Sequence, residues 1–247
     1  MAKAPKTFVI HLARATGRRA RVGELLRQSP YAAEILDACD GAQLSAEERD
    51  AVYPGRDLHE PRYPFALSDG EIGCFLSHRR AWARIVSEDL PYAMILEDDV
   101  EIDAGTFAAA VSLSAAWIDK LGVIQFQVRK LKGPSLSVAE DKQARIVLPE
   151  VTPLRTSAQM VSQTAARTLL AATEQFDRPV DTFLQMRWDT GVKLHCVVPS
   201  GVFDRTAETG GSTISRKHSF AAKVVREWKR ASYRKKVAAL SLGSYRL

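Results

Sequence analysis

An α/β fold built on a mostly parallel sheet is predicted for this chain, and three observations predict it. Short apolar runs that read as strands alternate with segments of helical periodicity. The chain opens strand first and helix second. No unit repeats at intervals of roughly 20 to 50 residues, which sets solenoids and propellers aside. With 247 residues, 46% of them hydrophobic, there is enough apolar surface for one substantial core.

Taken in order, Lys6 to Leu12 centres on Thr7-Phe8-Val9-Ile10 and predicts the first strand. Arg14 to Arg27 follows, with Val22, Leu25 and Leu26 as the apolar stripe of a helix. Tyr31 to Cys39 predicts a second strand, diluted by alanines and Glu34. Ser45-Ala46-Glu47-Glu48 has the spacing of a capping box, in which Ser and Glu each satisfy a backbone N–H at the start of a helix. Three prolines between Tyr53 and Pro64 predict a loop. Ser68-Asp69-Gly70-Glu71 is a second capping box, and Ile72, Phe75, Leu76, Trp82, Ile85 and Val86 give the helix that follows a buried stripe. Pro91 ends it, and Tyr92 to Leu96 is the next strand. Ala104 to Ile118 predicts a helix and Val123 to Val128 a strand. Lys130 to Gln143 is a polar loop holding glycine and proline, either a lid or an ordinary surface excursion. Leu154 to Val161 predicts a strand, Gln163 to Gln175 a helix, and Val192 to Val198 a late strand.

Ile95-Leu96-Glu97-Asp98-Asp99-Val100 sets three carboxylates at the end of an apolar strand, where ligands bind in sheets of this kind. Three like charges repel one another, and a divalent cation relieves the repulsion. Strand alternation would place Glu97 and Asp99 on one side and Asp98 on the other. A metal site and a solvated acidic turn both fit the hexamer alone.

The net charge of +6 is concentrated. Arg216 to Lys236 carries nine Lys and Arg against Glu227, a local +8, which leaves the rest at −2. Phe220, Val224, Trp228 and Ala231 recur at helical spacing there, predicting a basic amphipathic helix that lies on an anionic membrane or docks on the body. No aromatic-interleaved motif supports nucleic-acid binding, and no nucleic-acid partner is expected. Cys39, Cys74 and Cys196 are odd in number and far apart, so no disulfide framework and a reducing compartment are expected. The apolar stretch Thr7 to Ile10 breaks too early for a signal peptide, and Ala104 to Ile118 is too short and polar to span a bilayer. The expected location is cytoplasmic, with peripheral contact at the inner face of the membrane as the role of the basic helix.

The run Gly70-Glu71-Ile72-Gly73-Cys74-Phe75-Leu76-Ser77-His78, then Trp82, then Tyr92 to Val100, closely resembles glycosyltransferase family 25, which includes bacterial lipooligosaccharide galactosyltransferases and animal collagen galactosyltransferases. Ile10-His11-Leu12-Ala13-Arg14 with Arg18 is similar to the family's opening, with His11 in place of the usual Asn. Pro179-Val180-Asp181 and Gly211-Ser212-Thr213-Ile214 resemble later family elements, and Gln159 stands where an aromatic residue usually follows the alanine. The resemblance covers residues 6 to about 215. The division expected is therefore a glycosyltransferase domain over 1–215 and a basic helical extension over 216–247.

The resemblance implies a GT-A type nucleotide-sugar transferase, its central sheet flanked by helices, that uses UDP-galactose or a related hexose donor. It implies a lipooligosaccharide or lipopolysaccharide saccharide as acceptor. A Mg2+ or Mn2+ cofactor would stabilise the departing diphosphate, with Asp99 as first ligand and Glu97 as second ligand or ribose acceptor. Asp98, Arg14, Arg18, His78 and Ser212 are the further donor-binding candidates, and His195 could complete the shell. Transfer with inversion needs a base on the acceptor hydroxyl; Asp181 is the candidate, although a helix cap also explains it, with Asp189 and Asp204 in reserve. A catalytically silent family member acting as a binding or adhesion module is the alternative.

Overall fold

The computed structural model of the chain describes residues 3–205 and 220–245. In chain order, β1 (Lys6–His11) leads through a 3-10 turn (Thr16–Arg18) to α1 (Arg19–Gln28), β2 (Ala32–Asp37) and α2 (Ala46–Val52). The long helix α3 (Asp69–Ser87) precedes β3 (Tyr92–Glu97), β4 (Val100–Ile102), α4 (Ala104–Leu121) and β5 (Val123–Phe126). Then come β6 (Ser135–Glu140), β7 (Arg145–Pro149), β8 (Ala158–Ser162), α5 (Gln163–Ala172), α6 (Val180–Phe183) and α7 (Arg187–Thr190). β9 (Leu194–Val198), β10 (Val202–Asp204) and α8 (Phe220–Tyr245) complete the described chain.

Eight strands form one sheet in the order β2-β1-β3-β8-β5-β9-β7-β6, and β10 pairs with β4 in a separate ribbon. β2, β1, β3, β5, β9 and β6 run one way, and β8 and β7 run against them. The mostly parallel α/β reading therefore holds.

Period-2 alternation divides the core into two layers. Phe8, Ile10 and Ile95 face α3 and α5, meeting Phe75, Trp82, Ile85 and Leu169. Val9, Met94 and Leu96 face α1 and α4, meeting Leu25, Phe107, Val111 and Ile118. Phe75 stacks flat on Phe176 at 3.9 Å, and Trp82 is fully buried. Burying each such side chain contributes about 1.5–3 kcal/mol, so the stripe read at Ile72, Phe75, Trp82 and Ile85 is what holds α3 to the sheet.

Both capping boxes form, at Ser45 with Glu48 and at Ser68 with Glu71. Three expectations need correction. Lys130 to Gln143 is no featureless loop, because Ser135–Glu140 pairs with β7 as the sheet's edge strand. Its side chains are mostly exposed and polar, so it lacks the apolar run that reveals an inner strand. The strand read at Leu154 starts at Ala158 instead, since the segment before it supplies side chains to the cleft. The stripe of the terminal helix is not the face that docks: Val224, Trp228 and Ala231 are exposed, while Tyr233, Val237 and Ser241 are buried. Polar anchors on the body make that choice. Tyr233 Oη accepts from Arg178 at 3.1 Å, and Arg187 donates to the Ser241 carbonyl at 2.8 Å.

Candidate active site

The glycine-rich motif that starts α3 has a mechanical purpose. A Cβ on Gly73 would lie 2.5 Å from the Cys39 carbonyl oxygen and 2.7 Å from the Gly41 nitrogen, so only glycine lets the helix close on the segment after β2. Four residues on, the Ser77 hydroxyl accepts from the Cys39 N–H at 2.8 Å. One residue further, fully buried His78 points at the end of β3.

There the His78 Nε2–H donates to Glu97 Oε1 at 3.0 Å, while Nδ1 accepts from the Gln159 amide at 3.0 Å and so fixes the tautomer. The Thr156 hydroxyl donates to the same Oε1 at 2.7 Å. Both bonds fall on one oxygen, which leaves Oε2 of a partly exposed carboxylate clear of donors among the described residues. Burial opposes the Glu97 charge, but the His78 and Thr156 bonds and the nearby Arg155 guanidinium outweigh it and hold the carboxyl below its usual range.

The strand ends at Glu97, so strand alternation does not govern Asp98 and Asp99, which both approach Arg18. Asp98 is buried, bonded at 2.6 Å to His11 Nδ1 and at 2.6 Å to Arg18 Nη1. Asp99 lies 3.7 Å from the same Arg18 nitrogen. Arg18 brings one positive charge to both Asp98 and Asp99, and His11 makes the polar contact to Asp98.

Asp181 is brought to the same cleft. It sits in the first turn of α6 with Pro179 at the cap position, so it is not the N-cap residue itself. Its oxygens accept from the Arg155 N–H at 3.3 Å and the Thr182 hydroxyl at 3.2 Å. Burial pushes its pKa up, and the Glu97 charge adds to the shift. Arg155 aims that N–H from φ +96°, a backbone region non-glycine residues rarely occupy, so strain is stored where the cleft is shaped.

Of the other candidates, Arg14 is exposed and paired with Asp40 at 2.6 Å, and Asp189 pairs with His59 at 2.6 Å. Asp204 stays at the cleft: it pairs with Val100 beside the acidic triplet and is held by Arg129 and Arg155 at 3.2 and 3.1 Å. His195 lies level with Met94 rather than Glu97, towards the opposite end of the strands, with burial lowering its pKa. Ser212 lies outside the described residues. Gln159, the departure from the family pattern, is expected to alter how a sugar or base packs; the structure places it on His78. Thr156 and Arg155 were not legible as site residues, because their roles depend on β8 returning beside β3.

A hard cation fits these residues. Burial, then the charges of Glu97, Asp181, Asp99 and Glu71, push the Cys74 thiol well up, so negative potential converges on one point. Cys74, His78 and Glu97 also have ligand atoms within 4.8 Å of one another. Both His78 nitrogens are already bonded, however, and the thiol stays protonated, so the carboxylate oxygens are the better ligands.

Carboxylates gathered at the carboxyl end of β3, in a sheet flanked by helices, define an α/β protein that binds its ligand outside the strand ends. The family model of glycosyltransferase family 25 (LPS biosynthesis protein) matches residues 4–184, and the chain belongs to that family. It is 32% identical over 193 residues to the mouse inactive glycosyltransferase 25 family member 3, covering 74% of this chain and 32% of that protein. It is 34% identical over 102 residues to zebrafish procollagen galactosyltransferase 1, covering 40% and 17%. The chain thus spans about a third or less of the length of these relatives. Among solved structures, a glycosyltransferase involved in glycosylation of the major capsid of PBCV-1 aligns at 10% identity and a TM-score of 0.32, over 76% of this chain and 68% of that one. The fold assignment rests on the strand order of this chain.

Proposed function

We propose that the chain is a metal-dependent, inverting hexosyltransferase that moves galactose, or a closely related hexose, from a UDP-sugar to a saccharide acceptor of lipooligosaccharide or lipopolysaccharide. The observation that carries this is Glu97, held on Oε1 by His78 and Thr156 with Oε2 left clear, within electrostatic reach of Asp181. The family's description as an LPS biosynthesis protein supports the acceptor class, and the zebrafish relative's name supports galactose.

Glu97 and Asp99 would hold a Mg2+ or Mn2+ ion, which when bound offsets the charge developing on the departing diphosphate. His78 and Thr156 keep the Glu97 carboxylate oriented and ionised. Arg18 keeps Asp98 and Asp99 together without metal. Asp181, its pKa raised by burial, takes the proton of the acceptor hydroxyl at Oδ1 or Oδ2, and the Arg155 N–H and Thr182 hydroxyl fix its orientation. Among the described residues no helix is long and apolar enough to cross a membrane. The exposed Val224, Val225 and Trp228 of α8, set among basic residues, support peripheral contact with the inner membrane face.

A silent binding module is the second reading, favoured by the mouse relative whose name records it as inactive. A screen of UDP-sugars read by released UDP, with Mn2+ and with EDTA, separates the two. Release that needs both UDP-galactose and the metal supports the transferase; no release with any donor supports the silent module.

A further inference from the structure

Four residues of α8, Lys229, Ser232, Tyr233 and Lys236, follow the i, i+3, i+4, i+7 pattern and share one helical face. That face and Trp228 meet Arg62, from the loop before α3, around a cavity of about 330 Å³. The helix is locked in this rotation from both flanks. Arg226 and Arg230 lie over the Phe65 ring at 4.5 and 5.6 Å, and Tyr233 meets the Tyr63 ring edge-on at 5.5 Å. Three cations therefore converge on a preformed concavity. The Arg62 guanidinium pairs with Asp57 at 3.0 Å while its backbone N–H donates to Glu60 at 3.3 Å, and among the described residues no ion pair holds either lysine. Such a gathering of like charge is unfavourable by itself and is relieved by an anion. Its hydroxyl and ammonium donors suit phosphate oxygens, and the indole, 71% exposed, offers an apolar wall.

We propose that the pocket formed by Arg62, Trp228, Lys229, Ser232, Tyr233 and Lys236 binds a phosphate group carried by the acceptor. Its position supports the assignment. Tyr233 lines the pocket and packs on Tyr63, and Tyr63 packs against the core cluster that includes Val180 and Phe183 on either side of Asp181, so pocket and proposed base share this aromatic contact. A phosphorylated saccharide anchored there presents a hydroxyl towards Asp181, and the selected substrates are phosphate-bearing glycans rather than neutral ones. Assigning the phosphate to the acceptor rests on the transferase reading; the pocket itself does not.

The test titrates inorganic phosphate into the metal-free full chain and follows tryptophan emission, with Trp228→Phe identifying the reporting indole. A saturable response is expected, weakened by salt and roughly 30-fold weaker in the Lys229→Gln/Lys236→Gln double variant. Sedimentation with phosphatidylglycerol vesicles, against phosphatidylcholine alone, finds the source. A matching loss of vesicle binding in the double variant assigns the phosphate to a lipid headgroup, and unchanged vesicle binding beside a lost phosphate response assigns it to a soluble phosphorylated saccharide. No saturable response in the wild type, or one undiminished in a folded double variant, overturns the pocket. UDP release by the wild type is scored separately: phosphate binding without UDP release keeps the pocket and removes the transferase reading, and the converse removes the pocket alone.

Discussion

Glu97→Gln isolates the charge on which the proposed function depends. The amide oxygen still accepts from His78 and Thr156, so the local shape survives while the carboxylate is lost. Two charge-assisted bonds become neutral ones, a loss of about 1 kcal/mol, partly offset because Asp181 no longer faces a second negative charge. The melting temperature should therefore change by only a few degrees at neutral pH. The sign with pH follows from the depressed pKa. The Glu97 contribution is present above the ordinary glutamate value of 4.5 and is lost as pH falls through the lower folded value, so wild type and variant should converge in acid. Function should respond far more: losing one preorganised electrostatic contact costs about 10²–10³ in rate, or about 3–4 kcal/mol. Calorimetric titration of UDP with and without Mn2+, beside UDP-sugar turnover, measures both effects. Equal manganese enhancement of UDP affinity in the two proteins would refute the reasoning, as would turnover within a factor of two of wild type.

Asp181→Asn should suppress transfer with UDP affinity nearly unchanged. Burial raises the Asp181 pKa, so its ionised form costs stability as pH rises past the ordinary 3.8, and the variant should melt a few degrees higher at neutral pH; normal transfer, or a lower melting point, would count against the assignment. The same raised pKa predicts that wild-type transfer falls in mildly acidic buffer, a pH–rate profile being the check. Gly73→Ala drives a methyl into the Cys39–Gly41 backbone and should cost about 1–3 kcal/mol while moving His78 off Glu97, so thermal melts and turnover should fall together. Arg178→Met strands Asp177, which is buried and held also by the Leu58 and His59 N–H groups, at a cost of about 3–5 kcal/mol. It also frees Tyr233, so limited proteolysis should cut α8 first, and unchanged protection of α8 would show that its docking does not depend on this contact.

Much of the cleft was legible because local patterns carried it. The capping box at Ser68, the stripe from Ile72 to Ile85 and the acid cluster after a five-residue apolar strand each specify their own structure over a few turns or residues. The edge strand Ser135–Glu140 was not legible, because an exposed strand with one neighbour needs no apolar alternation. The docked face of α8 was misread for a related reason. Periodicity finds the apolar stripe, whereas buried Arg178 and Arg187 select the face that offers Tyr233, Ser241 and Ser244.

By itself the sequence determined the α/β class, the inner strands and longer helices, and the arrival of three carboxylates at a strand end, since each follows from spacing within one segment. Only the tertiary structure decided what those carboxylates do. Glu97 keeps an oxygen clear because His78, nineteen residues upstream, and Thr156, fifty-nine downstream, converge on its other oxygen, while Asp98 is claimed by His11 and Arg18 from the first strand and turn. Charge, burial and hydrogen bonding are properties of neighbourhoods, and here the neighbours of each acid come from elements that only the folded sheet brings together.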